Sequence, residues 1–223
     1  ALESWTVDGT EQCSANFGQS AFWTPGKTGM VVNNNYRITD QKISADGLQV
    51  TAEFTTTVRT YPWLPGLKIR KTVAVSPDLK QLAFHVKLNN TQTAAMNSVG
   101  YRWSFIPAGW SKAGRGIVKN AGMDMARPEK HLLFAGKNCT AWAEQVIGRL
   151  FGVPKAIRNL QGNEFQFTVS GGRTVSARFL PGDQFAGAAV WHTPQASTFE
   201  PFYLPALIAP GESVSFSAEF RME

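Results

Sequence analysis

Apolar and polar residues alternate with a period of two along much of this chain, which predicts long β-strands with one buried and one wet face. Leu48, Val50, Ala52, Phe54, Thr56 and Val58 alternate with Gln49, Thr51, Glu53, Thr55, Thr57 and Arg59. That is a predicted strand of about a dozen residues. A second run sets Leu67, Ile69, Val73 and Val75 against Lys68, Arg70 and Thr72. Ser76-Pro77-Asp78 suits a tight turn, after which Leu82, Phe84, Val86 and Leu88 point inward while Gln81, His85, Lys87 and Asn89 point outward. The three runs read as an antiparallel meander.

The C-terminal part repeats the pattern. Phe165, Phe167 and Val169, a turn at Ser170-Gly171-Gly172, then Val175, Ala177 and Phe179 predict a hairpin. A last strand comes after the turn Ala209-Pro210-Gly211-Glu212 and sets Val214, Phe216, Ala218 and Phe220 against Ser213, Ser215, Ser217, Glu219 and Arg221. Thr140 to Ile147 reads as a helix or as one arm of a hairpin turning at Gly136-Lys137-Asn138. From Ile106 to Pro128 the chain is rich in Gly and Ala and poor in alternation, so a long functional loop is expected there. The predicted fold is all-β: a large antiparallel β-sandwich spanning residues 1–223 as a single domain, with little helix.

Composition agrees. Of 223 residues 43% are hydrophobic and 17% charged, enough apolar mass for one large core and far from a disordered profile. No apolar run is long enough for a membrane-spanning helix. No basic, apolar leader opens the chain, and a start at Ala1 fits a processed form and an excised fragment equally. Cys13 and Cys139 form one long-range bridge or stay two buried thiols.

Charge changes the picture more. The net charge is +6, and residues 101–158 hold ten basic residues against Asp124, Glu129 and Glu144, a local +7. This is either a solvated basic face or a surface for an anionic partner, such as a uronate glycan, a phosphorylated sugar or nucleic acid. Nucleic acid is the least expected, because the basic residues are spread singly and no recognition helix, zinc module or RNP motif accompanies them.

Several chemistries are excluded. The chain has no G-x-S-x-G elbow, P-loop, G-x-G-x-x-G turn or H-E-x-x-H motif. His85, His131 and His192 stand far from one another and from the cysteines, so no metal site and no cofactor are expected. Seven tryptophans are more informative, several beside turn residues, as at Trp23, Trp63 and Trp110. An indole on a loop presents a flat apolar face to a pyranose; the alternative is that it plugs the end of the sandwich.

The most specific local feature is Ala189-Val190-Trp191-His192-Thr193-Pro194, with Thr198-Phe199-Glu200-Pro201-Phe202 shortly after it. A carboxylate in so apolar a segment has its charged form disfavoured, which suits a general base, with His192 the nearest acid partner. Equally, Glu200 pairs with an arginine or caps backbone amides at a strand end.

Five segments together resemble the galactose mutarotase-like supersandwich, shared by aldose 1-epimerases and by β-sandwich domains of polysaccharide-active enzymes. They are Leu67-Lys68-Ile69-Arg70-Lys71, residues 82–90, Tyr101-Arg102-Trp103-Ser104-Phe105, Phe199-Glu200-Pro201 and residues 207–213, and the resemblance covers residues 37–223. It implies a glutamate general base at Glu200 and a histidine general acid near residues 100–105, where this chain has Arg102 or Trp103 instead. Arginine does not donate a proton near neutrality. The resemblance therefore implies that His192 or His85 substitutes, or that the domain binds sugar without turning it over. Arg102 in the cleft suits an anionic sugar, through two hydrogen bonds to a carboxylate.

The expected ligand contacts are thus Arg102, Trp103, Trp191, His85 and Trp110, with Glu200 and His192 as the catalytic pair if one exists. Three readings stand: a carbohydrate-binding domain for an anionic or complex glycan, with other domains of a larger protein as possible partners; a sugar 1-epimerase; and a structural or interaction sandwich of a surface protein. Carbohydrate is the expected partner, the ligand is expected across the wet face bearing Gln49, Thr51, Glu53, His85 and Lys87, and the expected location is secreted or periplasmic.

Overall fold

The computed structural model describes residues 4–13, 17–24, 27–31, 36–106, 117–120, 123–125, 131–134, 155–157, 161–169, 172–192 and 197–223. Strands β1 (Thr6–Val7) and β2 (Thr10–Glu11) make a small ribbon at the start. After them come β3 (Gln19–Thr24), β4 (Lys27–Val31), β5 (Arg37–Ser44), β6 (Gly47–Thr55), β7 (Leu67–Val75), β8 (Gln81–Asn90) and β9 (Met96–Ser104). Next are β10 (Ile117–Asn120), β11 (Met123–Met125), β12 (His131–Phe134), β13 (Lys155–Ile157) and β14 (Glu164–Thr168). The chain closes with β15 (Thr174–Leu180), β16 (Phe185–His192), β17 (Ser197–Tyr203), β18 (Ala206–Ile208) and β19 (Ser213–Met222). Among the described residues no helix is long and apolar enough to cross a membrane.

Two large sheets pack face to face. One has nine strands in the order β11-β10-β14-β15-β19-β8-β7-β6-β5; the other runs β13-β12-β16-β17-β9-β3-β4, with β18 on β9. Pairing is antiparallel except between β12 and β13, which run parallel. The expected meander is β6–β7–β8, with Phe54 opposite Ile69 and Val73 opposite Phe84. The expected hairpin is β14–β15, with Phe167 opposite Val175.

Aromatic rings from the two inner faces interdigitate to make the core. From the nine-stranded sheet, Phe84, Phe216 and Phe220 meet Trp103, Tyr203 and Phe105 of the other, at centroid distances of 5.7, 4.4 and 4.7 Å. Gly18 lets β3 approach this core closely. Its φ is +77°, and a Cβ there would lie 2.7 Å from the Phe84 ring.

Two expectations need correction. The first long strand stops at Thr55, because the Thr56 hydroxyl turns back to accept from the Leu67 N–H and to donate to the Leu64 carbonyl. Val58 is consequently 71% exposed. The stretch expected to be one loop, residues 106–128, contains the β10–β11 pair, and β10 extends the nine-stranded sheet beside β14. The candidate hairpin at residues 136–147 and Cys139 lie outside the described residues, while Cys13 is buried.

Candidate functional site

Glu200 lies in β17 and Arg102 in the adjacent β9, near the centre of the eight-stranded sheet. Phe199, Pro201 and Tyr203 turn into the core, so Glu200 faces outward; Arg102 does the same between the buried Tyr101 and Trp103. The two side chains meet on that outer face. Arg102 Nη1 contacts Glu200 Oε2, with only 7% and 13% of the side chains exposed. Thr198 donates its hydroxyl to Glu200 Oε1 at 3.0 Å. Ala21 stands opposite Arg102, and Ala189 opposite Glu200, both buried; small residues flank the ion pair on either side.

Burial draws the Arg102 guanidinium down to about 10, far enough above neutrality to leave it cationic. The general-base expectation for Glu200 rested on an uncompensated carboxylate in apolar surroundings. The structure instead places a guanidinium against it, the pairing that the sequence left open as the alternative.

Two of the other expected site residues, Trp103 and His85, lie away from this point. Trp103 is fully buried, its ring 5.0 Å from Tyr101 and 5.7 Å from Phe84, so it is a core residue and not a ligand contact. Adjacent residues of a strand face opposite ways, and Arg102 and Trp103 could never share a face. His85 projects from β8 on the outer face of the nine-stranded sheet, with Nδ1 2.7 Å from the Ser217 hydroxyl. It is separated from Glu200 by the whole sandwich, whose sheets stack about 10 Å apart, and cannot be its acid partner. In the β16–β17 register Trp191 stands opposite Thr198, and His192 opposite Ser197. Trp191 thus has the strand parity of Ala189 and Glu200, and His192 the other. Trp110 lies outside the described residues, as does most of the basic segment 101–158.

Sequence reasoning missed Lys71, although the signal was present: it has the parity of Leu67, Ile69, Val73 and Val75. It is 4% exposed inside the sandwich. Its ammonium donates to the Gly18 carbonyl and to Ser20 Oγ, and stands 5.0 Å from the Trp103 ring centroid. Ser20 in turn bonds the Tyr101 hydroxyl at 2.7 Å. Desolvation pulls the Lys71 pKa down to about 7 and pushes the Tyr101 hydroxyl well above its ordinary value.

The wet face of the nine-stranded sheet also carries an open groove of about 1420 Å³, with Ala74 and Ala83 on its floor and Arg178, Glu219 and Glu164 along it.

No protein-family model matches the sequence, and no curated protein matches it. Solved structures do. A galactose mutarotase-like protein from Lactobacillus casei ATCC 334 is 11% identical with a TM-score of 0.57, covering 97% of this chain and 90% of its own. The Slr1438 protein from Synechocystis sp. PCC 6803 is 11% identical at 0.56, covering 95% and 75%. A galactose mutarotase related enzyme from Lactobacillus acidophilus is 11% identical at 0.53, covering 97% and 88%. The fold is the galactose mutarotase-like β-sandwich, as the resemblance implied.

Proposed function

We propose that this domain recognises carbohydrate at the Arg102–Glu200 locus and lacks epimerase turnover. The observation that carries the reading is the ion pair itself. Where the resemblance implies a histidine acid and a glutamate base, this chain pairs a fixed cation with a carboxylate. Arginine holds its proton near neutral pH, and Glu200 is engaged by both Arg102 and Thr198. The pair can still serve a ligand: guanidinium and carboxylate offer a donor fork and an acceptor to sugar hydroxyls, and Arg102 suits a sugar carboxylate. Fold alone does not choose a function, so the support comes from the site.

The test has two parts. Calorimetry against neutral and acidic mono- and oligosaccharides should show binding that Thr198→Val weakens. NMR saturation transfer on common hexoses and hexose phosphates should show α/β exchange no faster than in buffer. Accelerated exchange, abolished by Glu200→Gln, would replace this reading with a 1-epimerase.

A further inference from the structure

The outer face of the nine-stranded sheet sorts its charges by position. Glu53 faces outward, and Arg37 and Arg70 lie directly opposite it on either side, so the register aligns Arg37, Glu53, Arg70 and Lys87 in one row across β5–β8. Lys68 lies in the next row, 2.8 Å from Glu53, while Arg70 is 3.8 Å from the same carboxylate. Lys42 and Asp40 share the face further along β5. Five cations therefore stand against two carboxylates on a surface set by strand pairing. At a strand spacing of about 4.8 Å the row spans roughly 14 Å.

Folding accounts for the cations around Glu53 but not for Lys87. Arg70 and Lys87 are directly opposed on one face, and like charges so placed destabilise a sheet by about 0.2–1 kcal/mol relative to neutral residues. Local conflicts of this kind mark sites retained for binding. The adjoining row is mainly hydrogen-bonding: Ser217, His85 and Thr72 lead to the buried Thr51 and, at the sheet edge, Asp40. Beyond it, Ala83 and Ala74 sit opposite each other on the floor of the open groove. Cations, then hydroxyls, then two alanines with Glu219 beside Ala83 lie in sequence across about three residue rows.

From this juxtaposition we propose a second binding surface: the Arg37–Arg70–Lys87 face takes a linear polyanionic polysaccharide. Its carboxylates or sulfates pair with the cations, its hydroxyls meet the His85–Thr72 row, and the C–H face of a pyranose rests on Ala74 and Ala83. Among the described residues of this face there is no Phe, Tyr or Trp on which nucleobases would stack. The outward residues of its basic quarter include no large apolar side chain to enter a bilayer. A sugar polymer uses all three rows; a nucleic acid or a membrane uses only the first. The inference builds on the carbohydrate reading, but on the opposite face of the sandwich from Arg102 and Glu200.

The experiment is calorimetric titration of the protein with polygalacturonate and with dextran sulfate at low and raised salt, with duplex DNA and phosphatidylserine vesicles as competing polyanions. The expected result is salt-sensitive binding to at least one polysaccharide. Arg70→Ser/Lys87→Ser should weaken it by about tenfold or more, and the control Arg173→Ser, which removes a cation elsewhere, should leave it unchanged. Thermal unfolding should show the double variant as stable as the parent or more so. The proposal falls if neither polyanion binds, if the double variant binds as tightly as the parent, or if DNA or vesicles bind equally well through the same residues. Loss of this surface with saccharide binding intact at Arg102–Glu200 overturns this inference alone. Absence of any saccharide binding overturns the carbohydrate reading as well.

Discussion

Two buried charged sites shape this protein in different ways: an ion pair on the outer face of the eight-stranded sheet and Lys71 between the sheets. Arg102 and Glu200 neutralise each other, so removing one leaves the other buried and alone. Glu200→Gln should cost about 3–5 kcal/mol of stability, and Arg102→Met/Glu200→Leu should recover most of it, because an apolar pair of similar volume carries no desolvation penalty. Chemical denaturation of the three proteins checks this. Lys71 has hydrogen-bond and ring partners but no carboxylate against it among the described residues, and its pKa falls to about 7. The unfolded chain then binds more protons than the folded one between about pH 7 and the ordinary lysine value of 10.5. Stability should therefore rise with pH across that window, by up to about tenfold in the folding constant per pH unit, and level off above it. Denaturation curves of Lys71→Met should lack that slope and lie above the parent at neutral pH.

At the scale of elements, strand ends are set by side chains that compete with the ladder. Thr56 ends β6 by accepting from the Leu67 N–H and donating to the Leu64 carbonyl, both buried. Thr56→Val keeps the shape and strands two backbone groups, so a loss of about 1–3 kcal/mol is expected in denaturant unfolding, against under about 0.5 kcal/mol for Val58→Thr on the exposed turn next to it. Alternation over β8 and β19 was readable because large apolar residues recur at every second position there, and the register puts Phe84 beside Ala218 and Phe220 beside Leu82. Alternation over β7 was read with one gap, at Lys71. A charged residue at an inward position looks like an error in the pattern until Ser20 and the Gly18 carbonyl, some fifty residues earlier, are brought against it.

For the whole molecule, the sandwich has two outer faces that point apart. Arg102 and Glu200 occupy one; His85, Arg70 and Lys87 occupy the other. Sites so far apart with no shared partner should behave additively, within about 0.5 kcal/mol. A double-mutant cycle between Thr198→Val and His85→Ala, read by saccharide binding, should therefore show no coupling. Arg102, Trp103 and His85 fall on one outer face, in the core and on the other outer face, because parity separates neighbours in a strand but carries no mark of which sheet the strand joins.

Local parity, read from the sequence by itself, determined the all-β class, the β6–β7–β8 meander, the β14–β15 hairpin, and the alternating faces of β8, β14, β15 and β19. A side chain's direction along a strand depends only on its neighbours in the chain. Only the tertiary structure decided which strands share a sheet, and with it that Glu200 meets Arg102 and not His85. That outcome depends on a pairing of β9 with β17 across about a hundred residues, and on two sheets whose outer faces point apart. Parity is a local property and partnership is not.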